Sequence, residues 1–451
     1  MRKRAIGIRL EDADNKLRSL CENRAKEIYG QTLPIVVSDR LRTELDSITD
    51  NQSSSDYLLA TAIADYSKNQ RYPVSTRGLI ASTFVAFLCG FTSVNPLPAH
   101  RWCEKCHRFE LADVNYRTMG YDLDDKECPK CGSLMRADGA NILPEIALGL
   151  NLDKEPDLSL NLAEEMRPSI IECIKNTFTN SNIYRAGTKS FDNSGKIREG
   201  VHPGGIFIVP GEIDISKYTY LRETWFDDFD VPVTEKDYHE LWEDFKKYDL
   251  FTHRYLDLLH KLEISTEIGS QEIRMNDKNM LGVFLQDGFS FLPDDSVDEN
   301  AKSIYESAIN AVQPSCFSEL AGISAVMHGV ETWKGNGEEL IEEGKSINEI
   351  ITCRDDIMQY LIECGVDKEY AYLIMNRVRL GKGLNKNMED ELFFSYVPDW
   401  YIESCNKIKY VFPKSHAVEY MLMYWKLAYY YHYFPEEFQS AVSEVCDEKW
   451  C

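Results

Sequence analysis

Apolar positions recur at helical spacing through the first ninety residues. Leu17, Leu20, Cys21, Ala25 and Ile28 share one face, and Gly30 stands where a C-terminal cap belongs. A polar stretch, Asn51–Asp56, lies between the next two helical patterns and suits the cap of the second. Helical period then fails over 99–140, which is rich in Cys, Asp and Gly. From 157 to about 265 short strand-like runs mix with helical ones, and Gly204–Pro210 reads as a buried strand bounded by turn residues. Residues 285–300 are acidic and contain Pro and Gly, the pattern of a boundary. The rest, 301–451, has helical period and closes on an aromatic run from Tyr424 to Phe434. No repeat is visible. The pattern mixes helical and strand-like segments, and 451 residues suffice for two to four structural units.

Charge changes that picture in one respect. Fifty Lys and Arg against 74 Asp and Glu give a net −24 over 451 residues, which opposes nucleic acid at long range and leaves only a local basic channel to bind it. No apolar run reaches the length of a membrane span, and the apolar run after the basic Met1–Arg4 is too short for a signal peptide. A cytoplasmic location with reduced thiols follows as an expectation. Most of the 13 cysteines, such as Cys21, Cys89 and Cys173, lie within apolar periodic segments and read as small core residues.

Four cysteines are different. Cys103-x-x-Cys106 and Cys128-x-x-Cys131 are two knuckles separated by 21 residues, the second followed by Gly132. Thiolates spaced in this way can close a tetrahedral Zn²⁺ site, which with no open position would be structural. The alternative is four unrelated reduced cysteines.

The flanks of these knuckles carry a resemblance. Asn95-Pro-Leu-Pro-Ala-His100 leads into the first and Lys154-Glu-Pro-Asp157 follows the second. Collinear with them run Ser75-Thr-Arg77-Gly78, Ser82-Thr-Phe84, Tyr184-Arg-Ala-Gly-Thr188, His202-Pro-Gly-Gly205 and His328-Gly329 with Trp333 and Gly335-Asn336. Cys353-Arg-Asp-Asp-Ile-Met358, Gly381-Lys-Gly-Leu384, Pro398-Asp-Trp-Tyr401 and Lys407-Ile-Lys-Tyr-Val-Phe-Pro-Lys-Ser-His416 complete the set. Together they resemble the PolC-type, C-family DNA polymerase III alpha subunits. That resemblance implies an α+β chain: a nucleotidyltransferase-like palm with a mixed sheet, a zinc-knuckle insertion and mostly helical fingers. It divides the chain into 1–98 (helical part of the palm with a phosphate-binding turn), 99–140 (zinc module), 141–284 (palm with a shortened thumb) and 285–451 (fingers).

It also implies DNA-directed DNA synthesis from deoxynucleoside triphosphates on a primer–template, with Mg²⁺ as the catalytic metal and replisome proteins as possible partners. Two-metal phosphoryl transfer needs converging carboxylates. Asp157 matches the first family position and Asp249 the third, on a neighbouring strand. Ser159 stands at the second, where a neutral hydroxyl replaces an aspartate. Arg77, Gly78 and Ser82 are the phosphate-turn candidates, with Leu79 and Ala81 adding side chains; a plain helix start is the other reading. Arg377, Arg379, Lys382, Lys407, Lys409, Lys414 and His416 are candidate contacts to triphosphate or template phosphates, or else a solvated helix face. Only thirteen residues separate Thr188 from His202, fewer than the family's thumb needs. The expectation is a polymerase core of weakened activity; the alternatives are a non-catalytic DNA-, nucleotide- or replisome-binding paralogue and a vestigial remnant.

Overall fold

The computed structural model describes residues 5–191, 196–223, 231–292 and 299–447. Ten strands are present among them: β1 (Ser75–Thr76), β2 (His100–Trp102), β3 (Phe109–Leu111), β4 (Arg136–Asp138), β5 (Ser159–Leu162), β6 (Ser181–Phe191), β7 (Ile197–Pro210), β8 (Leu221–Arg222), β9 (Val233–Asp237) and β10 (Lys247–Thr252). Seven form one mixed sheet in the order β1-β5-β10-β7-β6-β9-β8, and β3-β2-β4 form a small antiparallel sheet. Within the large sheet β5 and β10 run parallel, as do β6 and β9.

Side-chain alternation explains how β10 sits. Tyr248 and Leu250 are buried, while Lys247, Asp249 and Phe251 are half-buried on the opposite face. In β5 the core takes Leu160 and Leu162, leaving Ser159 and Asn161 for the face of Asp249. β7 can lie close against β10 because it has no side chain at Gly204, where a Cβ would stand 3.0 Å from the Leu250 backbone.

Helices supply the rest of the core. Ala13–Tyr29 buries Leu17, Cys21, Ala25 and Tyr29, and the Gly30 amide at φ 92° bonds back to Lys26. The segment Asn51–Asp56 does separate a pair of helices, Ile35–Asp50 and Ser54–Asn69, but the cap expected from it is not formed by a Ser53 side chain. Its polar groups are drawn elsewhere: Ser54 donates to Asp14, and Asp56 accepts from Lys246 and Tyr248. The boundary pattern at 285–300 also packs inward. Phe289, Phe291 and Leu292 are buried with Phe284, Tyr305 and Trp425 in one hydrophobic core that runs from Ile8 to Val445; residues 293–298 of that stretch lie outside the described residues. The aromatic run ends the long helix Lys414–Tyr433, with Tyr424, Trp425 and Tyr430 buried.

Strands β6 and β7 occupy the described parts of the short Thr188–His202 stretch, of which residues 192–195 lie outside the described residues. β6 and β7 stay paired from Gly187↔Val201 out to Phe191↔Ile197, beyond a bulge between Arg185 and Gly187. Among the described residues no helix is long and apolar enough to cross a membrane.

Candidate functional site

The parallel pairing of β5 with β10 places Asp249 directly opposite Ser159. Asp157 lies two residues before Ser159, just ahead of β5, close enough to Asp249 to feel its charge. The two carboxylates feel each other: the Asp157 carboxyl is raised above its ordinary value by desolvation, with Asp249 reinforcing the rise and Lys247 opposing it. The side chain of Asp157 nevertheless keeps an exposed edge.

Two residues without an assigned role in the sequence complete this face. The Lys247 ammonium donates to both oxygens of Asp249, at 2.5 and 2.6 Å, and lies 5.1 Å from the centre of the Tyr238 ring. His202 brings Nδ1 to 3.8 Å from the Asp249 carboxylate. That nitrogen accepts the Gly205 amide at 2.8 Å, which puts the proton of the neutral ring on Nε2. Desolvation, followed by the Lys247 charge, holds the His202 pKa below its usual value. Lys247 was legible in principle, since a residue two before Asp249 on a strand shares its face.

Arg77 joins the same face from the end of β1. Its amide donates to the Ser159 carbonyl at 3.2 Å, and its guanidinium rests 4.5 Å from the centre of the Phe251 ring. Gly78, at φ 80°, donates its amide to His416 Nδ1 at 3.3 Å. Ser82 is buried and donates to Ser415 Oγ at 2.7 Å, and Ser415 in turn donates to the Gly78 carbonyl at 3.2 Å. The turn is thereby fastened to the start of the helix Lys414–Tyr433. Glu419 of that helix, buried, accepts from the Thr76 amide, Thr92 Oγ1 and the Ser93 amide.

The remaining basic candidates do not form one array. His416 is buried against Phe412 and His328, and desolvation keeps it neutral. Lys414 is buried and donates to the Tyr116 carbonyl at 3.3 Å beside the Arg117–Asp356 ion pair. Arg377 closes on the carbonyls of Gly383 and Lys382, Arg379 on Asn376, and Lys407 on Glu339. Lys382 and Lys409 are exposed. Arg354, within the Cys353–Met358 motif but given no role there, is buried with its guanidinium on the Val411 carbonyl, and burial and Arg379 lower its pKa.

At the small sheet, Cys103 Sγ lies 3.5 Å from Cys131 Sγ, and Cys106 Sγ lies 3.5 Å from Cys128 Sγ. All four sulfurs fall within 4.8 Å of one another. A tetrahedron with Zn–S bonds of about 2.3 Å has edges of about 3.8 Å, so this donor set fits one zinc ion. Hydrogen bonds from the backbone and side chain of Ser133 pull the Cys131 thiol down to about 6, favouring the thiolate a metal requires.

Comparison with known proteins places the chain in a family. The family described as bacterial DNA polymerase III alpha NTPase domain matches residues 15–199, and the one described as bacterial DNA polymerase III alpha subunit finger domain matches 252–396. DNA polymerase III PolC-type of Caldanaerobacter subterraneus subsp. tengcongensis is 34% identical over 97% of this chain and 34% of its own length. The chain belongs to the PolC-type DNA polymerase III alpha family. The PolC-type proteins of Staphylococcus saprophyticus (34% identity, 95% of this chain, 33% of that protein) and Thermotoga maritima (33%, 96% and 35%) match alike. This chain spans about a third of the length of those PolC-type relatives.

Proposed function

We propose that this chain is the palm-and-fingers portion of a PolC-type polymerase whose nucleotidyl-transfer site has been reduced from three carboxylates to two. One observation carries the reading: Ser159 is the register partner of Asp249, with Asp157 within its electrostatic reach, the position from which a third carboxylate would complete the set. The substrates would be primer–template DNA and deoxynucleoside triphosphates. The division into 1–98, 99–140, 141–284 and 285–451 belongs to the same proposal, with zinc on Cys103, Cys106, Cys128 and Cys131.

Asp157 and Asp249 would hold Mg²⁺, which when bound activates a primer hydroxyl and neutralises phosphate charge. That a cationic group, Lys247, already sits on Asp249 supports the fit of this face to positive charge. Arg77, held flat on Phe251, is placed to take a phosphate oxygen arriving over that face. Ser159 supplies only a neutral oxygen. Loss of one carboxylate costs about 3–5 kcal/mol of transition-state stabilisation, or about 10²–10⁴ in rate.

The second reading, a binding paralogue without catalysis, is favoured by the net charge of −24 and by the burial of Lys414 and His416. Primer extension by zinc-loaded protein with Mg²⁺ or Mn²⁺ separates the two, comparing the parent with Asp157→Asn and Ser159→Asp. Weak extension that Asp157→Asn abolishes and Ser159→Asp raises is the expected result. Silence from parent and Ser159→Asp together would move the chain to the binding reading.

A further inference from the structure

Lys247 has an unusual position for a lysine beside a cation site. Its ammonium is bonded to both oxygens of one carboxylate and backed by the Tyr238 ring, and its side chain is only 21% exposed beside an Asp249 that is 16% exposed. Charges on and around this face include the carboxylates of Asp157 and Asp249, the cations of Lys247 and Arg77, and Arg185 beside His202. Lys247 is in direct contact with Asp249.

We propose that Lys247 is a resident cation of this site, so that a divalent ion reaches Asp249 only by displacing its ammonium. The proposal rests on the reading that Asp157 and Asp249 form the metal site, and adds a positioning residue that sets how tightly metal enters. In the resting state the lysine keeps Asp249 paired and correctly aimed without metal. On metal entry Asp249 exchanges the ammonium for the ion, and the lysine swings into the solvent-facing side of the cleft, where it is available to an incoming polyphosphate.

The test uses the full, zinc-loaded chain with Mn²⁺ alone as the probe, bound and free ion being distinguished by electron paramagnetic resonance. Lys247→Met and Lys247→Gln should bind Mn²⁺ at least tenfold tighter than the parent. Lys247→Arg, which keeps the charge, should stay within threefold of it, and Asp249→Asn should abolish the binding. A second measurement needs no variant: acetylation of Lys247 by an amine-reactive ester, followed by mass spectrometry, should rise severalfold when Mn²⁺ saturates the parent. Equal or weaker Mn²⁺ binding in the neutral variants, still lost on Asp249→Asn, overturns the role of Lys247 and leaves the metal site standing. Absence of any Asp249-dependent Mn²⁺ binding overturns both. If the neutral variants fail to fold, unchanged acetylation in the parent is sufficient to overturn the proposal.

Discussion

Ser159→Asp should make the metal-free protein less stable and the metal-bound protein more stable, and the size of both effects follows from the strand register. Residues 159 and 249 are paired across adjacent parallel strands, whose axes lie about 4.8 Å apart. Two carboxylates at about 5 Å repel by about 3 kcal/mol at an effective dielectric of 20. Lys247, on Asp249 at 2.5 Å, offsets some of that, leaving a net loss of about 1–2 kcal/mol without metal. Mn²⁺ at a hundredfold above its dissociation constant returns about 2.7 kcal/mol. In differential scanning fluorimetry of zinc-loaded protein, the variant should therefore melt a few degrees below the parent in magnesium-free buffer and cross above it as Mn²⁺ is added. The parent curve should move much less. A variant as stable as the parent without metal, and indifferent to Mn²⁺, would show that the two positions do not converge on one ion, and the reading of this face would be wrong.

The zinc site predicts a structural dependence. Cys131→Ser should remove stoichiometric zinc from purified protein and open the 103–135 segment to limited proteolysis, because metal binding and folding of such modules are coupled at about 10–16 kcal/mol; retention of both zinc and resistance would refute it. Acid should weaken the fold earlier than carboxylates alone require. His253 is half-buried, and desolvation, aided by the Arg77 charge, lowers it from 6.5 to about 4. The unfolded chain thus binds a proton that the native chain refuses between those values, so stability falls as pH drops from 6.5 towards 4, by about 3 kcal/mol in full for this group. Asp355, held up to about 6 by burial, acts in the opposite sense between 3.8 and 6, so the diagnostic is a difference. His253 caps the helix Arg254–Thr266 through its ring, and His253→Asn keeps a capping side chain while deleting the titration. Urea denaturation from pH 7.5 to 5 should show a flatter dependence for His253→Asn than for the parent; parallel curves would remove His253 as the cause.

Legibility in the sequence followed the range of the interactions. The first helix with its Gly30 cap, the buried strand through Ile206–Val209 and the four-cysteine cluster all depend on neighbours within a few turns or on fixed short spacings, and each reads correctly. The pairing of Ser159 with Asp249 is long-range, and nothing local says that β5 will pair with β10. What failed to read were polar residues whose partners lie far away. Asp56 resembles a cap residue until Lys246 and Tyr248 are seen to occupy it. Lys414 and His416 stand in a basic series, and the burial of both, with one hydrogen bond each to Tyr116 and Gly78, depends on distant segments. Within the acidic 285–300 stretch, Phe289, Phe291 and Leu292 pack into the core, which its polar composition does not announce.

The fastening of the phosphate-turn segment to the last long helix sets a timetable. Ser82 and Ser415 stand 333 positions apart, and Thr92 and Glu419 stand 327 apart. At about 5–20 residues per second, a ribosome needs roughly 17–70 s to make the second partner after the first has been joined to the chain. Throughout that interval the amides of Thr76 and Ser93 and the hydroxyl of Thr92 have water in place of Glu419 as their acceptor, so the 75–93 segment reaches its native hydrogen bonding only after the helix Lys414–Tyr433 has been made.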